Sequence, residues 1–482
     1  MPVAPILLAP GAPAEDVASG MAAVRAEQAV PERFPAEAEA EVRAVLDGDG
    51  GGASAPRRDS TDVALVTIDP PGSRDLDQAY GAEALGGGGI RVWYAIADVA
   101  TFVAPGRPVD TEAHRRGVTF YGPDRRVPLH PPALSEGAAS LLPDGARPAL
   151  LWCIDLDADG LPVETRCERA VVRSRAQLTY DEVSRSVAAG TAEEPLALLR
   201  TVGERRLAVE AARGGVSLPL PDQVIVPGDG GEVHLAFDAP VPAEAWNAQV
   251  SLLTGIEAAR IMLEGGVGLL RTLPPADDRT LARLRRSARA LGVAWPAEGG
   301  YPAFVRSLDP ATPAGGALLV QASRALRGAG YTGFRDGVVP DAHLHAAVAA
   351  PYAHVTAPLR RLCDRAANEV VLALLAGDDV PAWANDEVMG LPDVMADATQ
   401  RASAYDRAAL DLVEALVLRT AVGRRFPAVV VDVDDDRAQV QLTAPAVVAR
   451  ARATDGCAPG DEVEVLVRGA DPRTRTVDLA VV

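Results

Sequence analysis

The spacing of apolar residues changes character twice along this chain, and those changes set the fold class. From Val63 to Arg173 the apolar residues fall in strand-like runs: Val63–Ile68, Ile90–Val99, and a hairpin of Leu150–Leu156 with Glu164–Arg173. A proline- and aspartate-rich loop and the turn Gly86–Gly89 separate the first two. Further on, apolar residues recur at three- and four-residue intervals, as on a helix face. They do so over Ala245–Glu264, Asp277–Leu291, Ala314–Leu326, a helix starting near Pro358 and running to Leu375, and Asp397–Gly423. After Phe426 short alternating segments return: Ala428–Val433, Ala438–Leu442, Ala446–Ala451, Glu462–Arg468 and Thr476–Val481. Five strands in so short a stretch predict a small OB-like barrel. Ahead of the first strand, Val17–Gln28 and Pro35–Leu46 read as helices, followed by the linker-like run Asp47–Ser60. The expectation is an α+β protein in three parts: a helical N-terminal appendage with linker over 1–60, a large mixed domain over 61–423, and a β-barrel over 424–482.

With 482 residues, 48% of them hydrophobic, the chain exceeds one ordinary core and can fill more than one. Its net charge of −19 argues against a nucleic-acid binder held by overall charge, but leaves room for a local channel. There is no lysine, so every fixed cation is arginine, which grips phosphate through two parallel hydrogen bonds. Cys153, Cys167, Cys363 and Cys457 show no CxxC spacing, which excludes zinc-ribbon and thioredoxin readings and suggests reduced thiols. The run Pro5–Pro13 is short and proline-broken, with no basic segment before it, unlike a secretory leader. No stretch of about 20 apolar residues is present, so a cytoplasmic protein without a membrane span is expected. Asp155, Asp157, Asp159 and Gly160 imitate a calcium loop, but Arg166 stands where its glutamate belongs, so an acidic turn is expected.

The sharpest local feature is Ile68-Asp69-Pro70-Pro71-Gly72-Ser73-Arg74-Asp75-Leu76-Asp77-Gln78, at the exit of a buried strand. Asp75 and Asp77 are two apart, so in extended backbone they share a side, while Leu76 faces the other way and can anchor the segment. Pro70 and Pro71 stiffen the loop, which can bring Asp69 back toward the other two. Three gathered carboxylates repel one another, and a hard cation with oxygen ligands, Mg²⁺ or Mn²⁺, relieves that repulsion. A solvated acidic loop is the alternative.

This segment resembles the signature of the ribonuclease II (RNB) family of exoribonucleases. The resemblance continues in Tyr94-Ala95-Ile96-Ala97-Asp98-Val99, Val109-Asp110-Thr111-Glu112-Ala113 and Arg116-Gly117-Val118-Thr119-Phe120-Tyr121. It extends through Arg126-Val127-Pro128-Leu129-His130-Pro131 and Leu134-Ser135-Glu136 to Tyr352-Ala353-His354-Val355-Thr356-Ala357-Pro358-Leu359-Arg360-Arg361. It implies an RNB-type catalytic domain, a mixed sheet with surrounding helices, followed by an S1/OB-like barrel. The implied activity is 3′-to-5′ hydrolysis of single-stranded RNA to 5′-mononucleotides by a monomer. By resemblance, Asp69, Asp75 and Asp77 organise Mg²⁺ and the scissile phosphate, with Gln78 in the fourth ligand position. Arg360 contacts the phosphate; a helix-start arginine in a surface ion pair is the other reading. Tyr121 and Tyr180 fall at RNA-contacting positions, although buried tyrosines are common. Leu218, Gln249, Tyr352, Thr356, Arg361 and Asp406 are the remaining implied RNA contacts.

The departures also count. Gln78 is neutral where the family has an acid, and Gln249 replaces a glutamate. Leu218 lies where a stacking phenylalanine is found, and Asp406 replaces a glutamate on the late helix. Too few residues precede Val63 for paired cold-shock domains, so a short form is expected. Arg450, Arg452, Arg468, Arg473 and Arg475 of the barrel either track phosphates or are ordinary surface arginines. A degenerate module that holds RNA or a protein without cleaving is the competing function.

Overall fold

The computed structural model describes residues 11–49, 51–52, 56–143, 145–218, 220–296, 298, 300–310, 312–434, 437–453 and 456–482. Most of the run Pro5–Pro13 and part of the Asp47–Ser60 linker lie outside the described residues.

The large domain is organised by five strands, β1 (Leu65–Ile68), β2 (Gln78–Ala84), β3 (Ile90–Ala97), β4 (Ala146–Leu156) and β5 (Pro162–Leu178). Strands β1 to β4 pair in sequence order, with β2, β3 and β4 antiparallel neighbours. The 17-residue β5 pairs antiparallel with β4 from Leu156↔Pro162 to Ala146↔Arg173. Its last residues then pair parallel with β1, Leu65↔Ser174 to Ile68↔Leu178, so the ladder returns to its start. Period-two alternation gives β3 two faces. Val92, Tyr94 and Ile96 join a core with Leu199, Val250 and Val370 from three helices. Ala95 and Ala97 join a second core with Val42, Leu76 and Leu359.

Strand β2 occupies part of what the sequence presents as loop. Its residues, Gln-Ala-Tyr-Gly-Ala-Glu-Ala, lack the β-branched enrichment that marks strands. Gly81 is needed for a close approach, since a Cβ there would sit 2.5 Å from the Ala64 carbonyl oxygen. The helices Tyr180–Ala188 and Glu194–Arg213 and the hairpin Asp222–Pro227 with Glu232–Asp238 are likewise additions to the expected elements. The helix expected from Pro358 begins at Leu362 instead. Residues 357–361 form a turn tied to the preceding strand-like segment: Thr119 N–H donates to the Arg360 carbonyl at 3.1 Å and Leu362 N–H to that of Gly117 at 3.0 Å. The late helix runs over Ala382–Arg419, absorbing Pro392 and starting well before Asp397.

The helices expected as an appendage are built into the body. Val17, Met21 and Val24 of Ala14–Glu27 pack on Leu412, Leu416 and the barrel core. Glu41 of Ala36–Leu46 accepts the Val109 N–H at 2.9 Å, at the start of the helix Pro108–Arg116. The C-terminal barrel closes in the order Arg425–Asp434, Arg437–Leu442, Val447–Arg452, Thr476–Val481, Glu462–Asp471. The calcium-like loop is a turn, with Asp157 accepting the N–H groups of Asp159 and Leu161 and Asp155 bound by Arg91. Among the described residues no helix is long and apolar enough to cross a membrane.

Met21 is fully buried between the long helix and the barrel. Met21→Ala is expected to cost about 2–5 kcal/mol, read as a lower urea midpoint at unchanged m-value; a midpoint equal to wild type contradicts the packing described.

Candidate active site

At the end of β1 the chain turns through Pro70–Ser73, with Ser73 N–H on the Pro70 carbonyl at 3.2 Å and Gly72 at φ +78°. Ser140 staples the segment that follows, accepting the Leu76 N–H at 2.9 Å and donating to the Arg74 carbonyl at 2.6 Å. Gln177 on β5 donates to the Ser73 carbonyl at 2.8 Å. Leu76 is fully buried on the far side. Asp69, Asp75 and Asp77 therefore face one cavity of about 520 Å³, and Arg360 from the distant turn completes its wall.

Asp77 is 4% exposed. One oxygen accepts the Leu359 N–H at 2.7 Å and the other lies 3.3 Å from Arg360 Nε. Burial pushes its carboxyl up to about 7, opposed by Arg360 and the Leu359 N–H. Asp69 is also pushed up to about 7, by burial first and then by the nearby charge of Asp75. Its Oδ2 is buried with no hydrogen-bond partner. Asp75 is bound by Arg126 and accepts the Tyr121 hydroxyl at 3.1 Å. Arg126 also lies 3.5 Å from Glu136.

These groups fit a hard divalent cation. An orphaned carboxylate oxygen beside two more acids, two of them reluctant to ionise, is what such an ion relieves. Asp69, Asp75 and Asp77 are the residues that would hold it.

The other expected residues divide in two. Tyr121, 46% exposed, and Tyr180, on the first turn of its helix, line the same cavity. Tyr180 Oη accepts Asn247 Nδ2 at 3.4 Å. Gln78 is on the wall too, but both ends of its amide are engaged. Nε2 donates to the Thr356 carbonyl and Oε1 accepts the Tyr94 hydroxyl, both at 2.6 Å. Gln78 and Thr356 thus clamp β2 to the Arg360 turn, and Thr356 is buried.

The remaining residues stand apart from the cavity wall. Arg361 is held bidentate by Asp364 at 2.7 and 2.9 Å. Gln249 is buried and donates to Glu210 at 2.6 Å. Tyr352 is buried, edge-on to His345 and His354. Leu218 packs on Leu284 and Phe304 in a separate small core, and Asp406 is exposed on the late helix. Arg361, Gln249 and Tyr352 thus have partners within the fold, whereas Asp406 faces outward. Arg126 and Ser140 were missed as site residues. Arg126 lies inside a recognised motif, whereas Ser140 has no sequence signal, because its partner is sixty-odd residues away in the chain.

The RNB domain family matches residues 57–377, and the RNase II-type exonuclease C-terminal S1 domain matches residues 424–482. The chain belongs to the RNB-domain family. It is 27% identical over 383 residues to exosome complex exonuclease RRP44 homolog A of Arabidopsis thaliana, covering 76% of this chain and 40% of that protein. RNase R of Mycoplasma genitalium, solved with ribose-methylated single-stranded RNA, superposes at a TM-score of 0.86 with 18% identity, over 97% of this chain and 78% of that one. Yeast Ssd1, a pseudonuclease, superposes at 0.70 with 16% identity, over 89% of this chain and 54% of that one. The two superpositions establish the fold.

Asp69 and Asp77 bind protons more tightly folded than unfolded. In chelator their contribution to stability is therefore present at low pH and lost as pH rises from about 4 through about 7. The expected outcome is that Mg²⁺ raises the thermal midpoint more at pH 8 than at pH 5, and that Asp69→Asn with Asp77→Asn abolishes this difference. An equal Mg²⁺ effect at both pH values contradicts the arrangement.

Proposed function

We propose that this chain is a 3′-to-5′ exoribonuclease that hydrolyses single-stranded RNA to 5′-mononucleotides. The observation that carries the reading is the unpartnered Asp69 oxygen, buried beside Asp75 and Asp77 in a cavity that Arg360 also lines. Polarity and product rest on the family likeness.

Mg²⁺ or Mn²⁺ held by Asp69, Asp75 and Asp77 would supply Lewis acidity to the phosphodiester and lower the pKa of water so that hydroxide becomes available as the nucleophile. The chain's own part is positional. Arg360 Nε keeps only a 3.3 Å contact with Asp77, and its side chain is 44% exposed, so the guanidinium can take a phosphate oxygen. There it opposes charge building on the equatorial oxygens. Asp69 contributes the free oxygen that such an ion would take. Tyr121 presents an exposed ring beside Asp75, where a terminal base can stack. Because the net charge is −19, grip on RNA depends on such local guanidinium contacts and should weaken with salt.

Gln78 favours a second reading, a non-cleaving RNA binder, since a neutral amide stands in the fourth acidic position. Its hydrogen bonds to Thr356 and Tyr94 give it a structural task instead, which supports the nuclease.

Purified protein with end-labelled single-stranded RNA and Mg²⁺ or Mn²⁺ is expected to shorten it from the 3′ end. Arg360→Ala should slow shortening by about 100- to 1000-fold, and Asp77→Asn or chelation should abolish it. Intact RNA at every metal concentration, or shortening indifferent to Asp77→Asn, removes the proposal. Gln78→Asp separates the readings: RNA bound but never shortened, in both wild type and this variant, favours the binder.

A further inference from the structure

A second cavity, of about 350 Å³, lies between the helix Asp278–Ala290 and the end of the helix Pro313–Ser323. That volume is within the range of small-molecule sites. Arg283, Arg324 and Arg327 line it, together with Thr280 and Gln321. Three guanidinium groups around one small cavity are notable in a chain whose net charge is −19. Their counter-charges are few among the described residues. Asp432 of the barrel is shared by Arg283, at 3.5 Å, and Arg324. Asp277 also lines the cavity as a second carboxylate, its oxygens held by Thr280 through the backbone N–H and the hydroxyl at 2.8 Å each, which leaves three guanidinium groups facing two acids.

Gln321 provides the independent observation. It is 6% exposed, and neither its amide oxygen nor its amide nitrogen has a hydrogen-bond partner. Buried side-chain amides are almost always paired, because leaving them unpaired forfeits the hydrogen bonds they made to water. A group offering a donor and an acceptor side by side satisfies both atoms. The edge of a nucleobase is such a group, and glutamine matches adenine in this bidentate way. The arginines beside it suit the phosphate of the same molecule.

We propose that this cavity binds a nucleoside monophosphate, with the base edge on Gln321 and the phosphate among Arg283, Arg324 and Arg327. The inference does not rest on the nuclease reading, since the site lies apart from the aspartate cavity and uses none of its residues. The phosphate would share Arg283 and Arg324 with Asp432 of the barrel.

The test is calorimetric titration of the full chain with adenosine 5′-monophosphate in chelator, where the aspartate site is metal-free. Saturable binding is expected, weakened at least tenfold by Gln321→Leu and by Arg327→Gln but within twofold of wild type in Arg360→Gln. Adenosine alone and inorganic phosphate alone should each bind at least tenfold more weakly. A short 3′-blocked oligoadenylate distinguishes a free nucleotide from one within a strand, and preference for either retains the nucleotide site. No saturable binding of any of these overturns the proposal. So does affinity unchanged in Arg327→Gln, a substitution at an exposed position, or phosphate binding as tightly as the nucleotide.

Discussion

The Asp77 carboxylate joins two segments nearly the length of the RNB domain apart. It takes the Leu359 N–H on one oxygen and faces Arg360 on the other, while burial resists its ionisation. A buried acid is tolerated only where donors or cations surround it. This one is surrounded by the turn that presents the arginine. The same contact therefore closes the domain and sets the distance between acids and guanidinium. Gln78 adds a parallel clamp through the Thr356 carbonyl, so two neighbouring residues of the aspartate segment grip the same turn.

The packing behind the site explains why the acids stay together. Leu76 faces a core that includes Leu359, so the anchor of the aspartate segment and that of the arginine turn share one cluster. Ser140 and Gln177 hold the loop backbone from two other elements. Three carboxylates are thus fixed against their mutual repulsion by apolar burial and backbone hydrogen bonds. What remains unsatisfied is Asp69 Oδ2, a demand that a hard cation would meet.

Much of this was legible in the sequence, for identifiable reasons. The shared side of Asp75 and Asp77 and the opposed Leu76 follow from the alternation of extended backbone, and the barrel followed from alternation along its strands. The convergence of Arg360 was available only through resemblance, because no local pattern reports a pairing across 283 residues of sequence separation (360 minus 77). Strand β2 was hidden by its alanines and glycine, which carry little strand preference but fit beside Ala64. Arg361 and Tyr352 stand in a quoted motif and Gln249 at a single family position, and their partners Asp364, the two histidines and Glu210 lie within the fold. A motif records which residues a family uses near its site, not which of them face the cavity.

The central claim is that Asp69, Asp75 and Asp77 form one divalent-cation site. Its most direct test is titration with Mn²⁺, following free ion by electron paramagnetic resonance. The account predicts saturable binding that Asp69→Asn weakens strongly and that Mg²⁺ displaces. Binding unaffected by Asp69→Asn, or none at millimolar Mn²⁺ in the folded wild type, would contradict it.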